Sequence, residues 1–328
     1  MHLNQQPPAT PAPVPAPAPY IDAETLTRFA PMPSAIEAVE AVLRGGLDPE
    51  AEPARGVVDV PGGQLLLMPS STASYTGVKV ASVTPGNPAR QLPRIQGLYV
   101  LLDGVTHAPL ALLDAIALTS LRTPAVSGAA IGHLAVPDAR RLLVFGTGPQ
   151  AWGHVEAVRA VRPGVEHVDV VGRSAARVDA FAERCRAAGL AASPASPADV
   201  ARADVVCCCT TAREPLFDSS LLPGHATVAA VGSHEPDARE VDEHLVGRAL
   251  VVAESRAVAM RECGDIVLAV GAGAFDAAHV TTLDALVRGE VEVPDGRPRL
   301  FKSAGMAWED LAVAAAAYER WAAERLTG

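Results

Sequence analysis

A chain of 328 residues exceeds one ordinary hydrophobic core and fits two domains. Its 49% hydrophobic and 20% charged residues read as a soluble globular protein, and its apolar runs break well short of the ~20 residues that span a bilayer, so no membrane partner is expected. The formal charge of −10 argues against a nucleic-acid partner, which asks for a basic face, but leaves room for a small anion held by a few local cations.

Residues 1–19 form a Pro/Ala tract too poor in large apolar groups to build a core, and a flexible tail is expected. From Asp22 the pattern changes. Ala35, Ile36, Val39, Val42 and Leu43 recur at helical spacing, and Gly45-Gly46 supplies a stop. Strand signals follow at Val57-Val58, Leu65–Met68, Val78–Val80 and Leu98–Leu102, separated by Gly, Pro and Asn clusters as in an antiparallel or mixed sheet. Helical spacing returns between Asp114 and Leu134, where Arg122-Thr123-Pro124 is expected to mark a break or a helix start.

From Arg141 strand and helix alternate. Leu142–Phe145, a Gly-rich turn, a helix to Val161, a strand His167–Val171 and a helix from Ala175 to Ala188 make a βαβ unit. Val205–Cys209, Thr227–Val231 and Ala249–Ala253 read as further buried strands of a doubly wound parallel sheet. A closing helix carries the apolar stripe Trp308, Leu311, Ala312, Ala315, Tyr318 and Ala322, with Glu309 and Asp310 placed to complement its dipole. The fold class expected is α/β, a Rossmann domain (126–303) inserted in an α+β substrate and dimerisation domain (20–125 plus 304–328).

Cys207, Cys208 and Cys209 are consecutive and so alternate between the faces of a strand, which suits small buried residues rather than a metal or disulfide framework. Cys185 and Cys263 stand alone without a CxxC. No histidine pair has ligand spacing, and no metal is expected. With no basic and apolar leader at the N-terminus, cytoplasmic residence is expected.

Gly146-Thr147-Gly148-Pro149-Gln150-Ala151 matches GxGxxA between a strand and a helix, where glycines let backbone N–H groups approach a pyrophosphate. The next strand ends Val171-Gly172-Arg173-Ser174 without the carboxylate that binds a ribose 2′-hydroxyl. Arg173, Ser174 and Arg177 can instead pair with a 2′-phosphate, so NADPH is expected over NADH.

Tyr75–Val80, Pro85-Gly86-Asn87, Leu118–Ala125, Gly146–Ala151 and Phe301–Leu311 resemble, in order, the ornithine cyclodeaminase/mu-crystallin family. The resemblance runs from about Arg55 to the closing helix and implies a homodimeric nicotinamide enzyme for amino or imino acids, joined through the first domain. It implies that Arg55, Lys79 and Arg122 surround a substrate carboxylate, that Lys79 and His234 are the catalytic candidates, and that Thr123, Thr210 and Ser303 join the cofactor site. The cyclodeaminases resembled carry acidic residues where this chain has His234 and Leu66. Their loss favours simple imine reduction, which needs no acid/base group for ring closure and ammonia loss. The expected reaction is NADPH-dependent reduction of Δ1-pyrroline-2-carboxylate or Δ1-piperideine-2-carboxylate, giving proline or pipecolate. A cyclodeaminase, an alanine dehydrogenase and a mu-crystallin-like NADPH-binding protein are the alternatives. Glu235 and Asp237 keep the acid/base question open.

Overall fold

The computed structural model describes residues 17–327, so the expected tail lies, up to residue 16, outside the described residues. β1 (Tyr20–Ile21) leads into α1 (Ala23–Phe29), capped by the Asp22 carboxylate accepting from Thr25 N at 2.8 Å, and α2 (Met32–Arg44), which is followed by Gly46 at φ +93°. The expected strands appear as β2 (Gly56–Val60), β3 (Gly63–Ser71), β4 (Tyr75–Val83) and β5 (Ile95–Asp103) of an antiparallel meander. β6 (Pro109–Asp114) completes it, and β1 pairs beside β6 in parallel. The sheet order is β1-β6-β5-β4-β3-β2.

Strand alternation sets which side chains face inward. Met68, Lys79, Tyr99 and Leu113 stand opposite one another in register and are all buried, so a lysine occupies an apolar row. Gly77 makes room for the Tyr99 phenol, since a Cβ there would lie 2.1 Å from its oxygen. On the opposite face Val58, Leu67 and Leu98 are 37–46% exposed.

α3 (Ala115–Leu134) runs unbroken through Pro124, contrary to the break expected there. A proline inside a helix costs about 3 kcal/mol through the lost N–H bond and the ring's contact with the carbonyl four residues back. Tight packing holds the helix through it. Every residue from Arg122 to Ile131 is buried, and Gly153 on the next helix sits where a Cβ would approach Pro124 Cγ to 2.6 Å.

The second sheet begins with β7 (Arg141–Phe145), α4 (Pro149–Val161), β8 (His167–Val171), α5 (Ala175–Ala187) and β9 (Ala191–Pro194). It continues with β10 (Val205–Cys208), β11 (Thr227–Ala230), α6 (Glu243–Arg248), β12 (Leu250–Ala253), α7 (Arg256–Glu262), α8 (Gly264–Gly271), β13 (Thr281–Thr282) and α9 (Leu283–Val287). β14 (Arg299–Lys302) then inserts between β11 and β12, and α10 (Ala307–Thr327) returns to the first sheet. All strand pairs are parallel, in the order β13-β12-β14-β11-β10-β7-β8-β9, the doubly wound arrangement expected. Cys207 and Cys208 alternate as expected. Cys207 joins the apolar cluster that continues through α2 and α3 to the first sheet, and Cys208 joins the cluster on the other face. Among the described residues no helix is long and apolar enough to cross a membrane.

Candidate active site

Parallel register brings the strand ends into one row: Val171, Phe145, Cys208, Ala230, Lys302 and Ala253. The winding reverses between β7 and β10, where a crevice opens at the strand C-termini. There lies a cleft of about 1030 Å³, and the segments following those strands line it.

Gly146 leaves β7 at φ +114°, and a Cβ there would come 2.5 Å from the Cys209 carbonyl, so this position requires glycine. Gly148 stands at the N-cap of α4 with nothing within 4 Å of its missing Cβ, which leaves that helix end open to a ligand. Pro149 fills the first helical position, and Ala151 is buried beneath the turn. Neither lines the cleft, whereas Gly146, Thr147, Gly148 and Gln150 do. Gln150 donates to the Thr119 carbonyl at 3.3 Å, and its Oε1 is buried with no protein partner. Arg173, Ser174 and Arg177 flank the cleft at the end of β8 and the start of α5, both guanidiniums exposed. An open helix N-terminus at the end of a parallel strand fits the pyrophosphate of a dinucleotide.

His154, one turn along α4, locks that turn to α3. Its Nδ1 donates to the Gln150 carbonyl at 2.8 Å, which leaves Nε2 to accept from Ser127 Oγ at 2.9 Å. Burial pushes its pKa down to about 4.

The basic candidates line the same cleft, as do Thr123, Thr210, His234 and Ser303. Lys79 and Arg122 converge on one carboxylate: Lys79 Nζ lies 2.7 Å from Asp310 Oδ2 and Arg122 Nε 3.4 Å from Asp310 Oδ1. Arg122 also donates to Glu309. Glu309 and Asp310 stand in the first turn of α10, placed as expected to complement its dipole, and both are fully buried against these cations. Burial lowers the Lys79 pKa against the opposing pull of Asp310. For Arg122, Asp310, Glu309 and Glu254 together outweigh burial and raise the pKa. Arg55 stands slightly apart, paired with Glu262 at 2.7 Å and donating to the Gly305 carbonyl at 3.0 Å.

His234 sits exposed at the cleft mouth, where partial desolvation, then Arg55, lowers its pKa and keeps it neutral near pH 7. Glu235 and Asp237 both pair with Arg213 at 2.6 Å on the exposed surface and do not line the cleft, which removes them as acid/base candidates. Leu66, Met68 and Ala81 supply an apolar wall beside Lys79. Beneath the floor, Lys302 is fully buried, 2.9 Å from Asp265, and donates to the Ser233 carbonyl. Glu240 ties Thr210 N to Gly232 N at 2.8 and 2.7 Å, so these buried charges hold the loops after β10 and β11.

Comparison with known proteins agrees with this geometry. The family model described as the ornithine cyclodeaminase/mu-crystallin family matches residues 21–325. A Δ1-pyrroline-2-carboxylate reductase of Bacillus cereus is 37% identical over 273 residues, covering 80% of this chain and 83% of that protein. The structure of Thermococcus litoralis Δ1-pyrroline-2-carboxylate reductase in complex with NADH and L-proline superposes with a TM-score of 0.85 at 30% identity, covering 92% of this chain and 96% of that one. An archaeal alanine dehydrogenase dimer with bound NAD gives a TM-score of 0.87 at 28% identity, covering 94% and 97%.

Proposed function

The chain belongs to the ornithine cyclodeaminase/mu-crystallin family, and we propose that within it this protein reduces the C=N bond of Δ1-pyrroline-2-carboxylate or Δ1-piperideine-2-carboxylate with NADPH. It is an oxidoreductase acting on C=N bonds and uses a nicotinamide cofactor. The observation that carries the substrate reading is the meeting of Lys79 and Arg122 with the apolar wall of Leu66, Met68 and Ala81, all in the cleft of the GxGxxA turn. Two cations suit one carboxylate, and an uncharged wall suits ring methylenes better than a second charged arm.

A nicotinamide held in this cleft would supply hydride to C2 of the imine. The chain's own residues hold the ring in place. A guanidinium has five N–H donors, and Arg122 gives one of them to Glu309, while its Nε lies 3.4 Å from Asp310 without a hydrogen bond. Lys79 has three donors, of which Asp310 and, at 3.4 Å, Thr119 take two. The remaining donors are available to the substrate carboxylate, with Arg55 at the rim. Lys79 Nζ also stands as the proton donor to the ring nitrogen, since burial eases release of its proton while Asp310 keeps it charged beforehand. His234, neutral near pH 7, serves as a hydrogen-bonding group at the mouth. Arg173, Ser174 and Arg177 support the preference for the 2′-phosphate, with Thr123, Thr210 and Ser303 along the cofactor's path.

The same reading takes 20–125 with 304–328 as a substrate and dimerisation domain around an inserted 126–303. A homodimer would form through the exposed Val58, Leu67 and Leu98 face. Five free thiols accord with a cytoplasmic location.

The test is NADPH oxidation, followed by nicotinamide absorbance, with each imino acid, using NADH and Arg122→Ala as comparisons. NADPH-preferring turnover that falls at least about 10²-fold in the variant supports the assignment. No turnover of either imine overturns it and directs the search to pyruvate with ammonia.

A further inference from the structure

Two buried carboxyls lie beneath Arg122. Glu254 follows β12 and Glu309 opens α10; they are 2% and 0% exposed. Between them they accept the backbone N–H groups of Ala304, Gly305 and Met306 in the turn that carries the chain from β14 to α10, while Ser303 N donates to the Ala230 carbonyl. Glu254 accepts from Ser303 Oγ, from Ala304 N at 3.0 Å and from Gly305 N at 3.1 Å, and Glu309 accepts from Met306 N at 3.0 Å. Glu309 also receives Arg122. The turn presses on the same guanidinium, because a Cβ on Gly305 would meet Arg122 Nη1 at 2.5 Å.

We propose that Glu254 and Glu309 form a proton-sharing acid pair that positions Arg122 and the Ser303–Met306 turn, and thereby sets the alkaline limit of imino-acid binding. This rests on the reading of Arg122 as a partner of the substrate carboxylate. Two carboxyls that accept from the adjacent N–H groups of Gly305 and Met306 in a dry interior resist ionising together, so one proton stays between them. Glu309 supplies the O–H, and Glu254, which already accepts from three protein donors, accepts it. Burial, then the Glu254 charge, raises the Glu309 pKa well above the usual carboxylate range against the pull of Arg122.

The charged and titratable groups facing the pair are Arg122 on α3, Lys79 on β4, Asp310 on α10, the Cys263 thiol between α7 and α8, and Arg55 before β2, itself neutralised by Glu262 on α7. With the shared proton, Lys79 and Arg122 balance Asp310 and one carboxylate, and the floor is neutral. Without it the floor carries one negative charge against an incoming carboxylate. A raised pKa means the proton is held below the pair's pKa and lost as pH rises through it. Imino-acid affinity is therefore full at lower pH and falls by up to about tenfold per pH unit above that point.

The experiment compares wild type, Glu309→Gln and Glu309→Ala. Gln keeps an N–H toward Glu254 and an acceptor toward Arg122, gives up only the acceptor for Met306 N, and cannot ionise. It should rescue the rise in imino-acid KM caused by Ala at pH 7, and move the alkaline limb of kcat/KM upward by about one pH unit or more. A limb belonging to Lys79 would stay where it is. A Gln variant as impaired as Ala, or an unmoved limb, overturns the proposal. A readout free of substrate is the infrared carbonyl band of a protonated carboxylic acid at pH 8, present in wild type and lost in Glu309→Gln. Its absence from wild type defeats the acid pair even if the enzyme reduces imines. Its presence in a protein that turns over no imino acid leaves the pair standing and removes the proposed function.

Discussion

Replacing Gly305 with Ala tests whether Arg122 must sit where the structure places it. Gly305 adopts φ +79°, where an L side chain costs about 1–2 kcal/mol. Its new Cβ would lie 2.5 Å from Nη1 and 2.7 Å from Nη2 of Arg122, so the guanidinium must retreat by about 0.9 Å to reach an ordinary 3.4 Å contact. Glu309 and Asp310 are fully buried around it, so the retreat disturbs the carboxylates that orient it. A misplacement near 1 Å in a positioning group costs about 10²-fold in rate. Steady-state kinetics should show kcat/KM for the imino acid falling by about that factor, with cofactor affinity, read by nicotinamide fluorescence, little changed. The backbone penalty should lower Tm at about 2–4 °C per kcal/mol. A folded Gly305→Ala protein with wild-type KM and kcat would refute the argument that this turn sets the Arg122 position.

Arg173→Ala and Arg177→Ala should each lower kcat/KM with NADPH by about 10–100-fold, the worth of a charge-assisted hydrogen bond, and leave NADH kinetics unchanged; equal losses with both cofactors would point to a general structural effect. Leu98→Asp places a charge on the exposed face of the first sheet and should yield monomers in sedimentation equilibrium, and a variant that still dimerises would move the interface elsewhere. His154 is neutral in the fold with its pKa near 4 against 6.5 for the free side chain, so protonation favours the unfolded chain. Its contribution is full above pH 6.5 and is lost as pH falls toward 4, by about 3 kcal/mol in all. Urea titrations should show this slope shrinking in His154→Gln.

The fold was legible where burial is one-sided or continuous. Leu142–Phe145 and Val205–Cys208 are unbroken apolar runs, as strands covered on both faces must be, and the meander strands alternate. β14 escaped because Arg299 and Lys302 bracket only two apolar residues, although all four are buried and the strand is central. The helix break expected at Pro124 failed for a related reason. Local propensity argued for a stop, and the contact between Pro124 and Gly153, remote in sequence, overrode it.

The dinucleotide half of the site was readable because backbone geometry demands glycine at Gly146, and a demand on the backbone is written directly in residue type. The charged half was readable only in part. Lys79 occupies an inward position of an alternating strand, a breach of patterning that marks it without any comparison. The first-turn position of Glu309 and Asp310 marks them as partners of the helix dipole, but position alone does not show that they also face cations in a helix without a wet side. Residues 307–314 have none, being buried on every side, and the run Leu311–Ala317, apolar all round, was the available sign. A helix buried on every side that opens with two carboxylates must bring cations to meet them. Lys79 and Arg122 are those cations, and the pairing that keeps the buried charges tolerable also leaves the remaining N–H groups of both side chains free for a substrate.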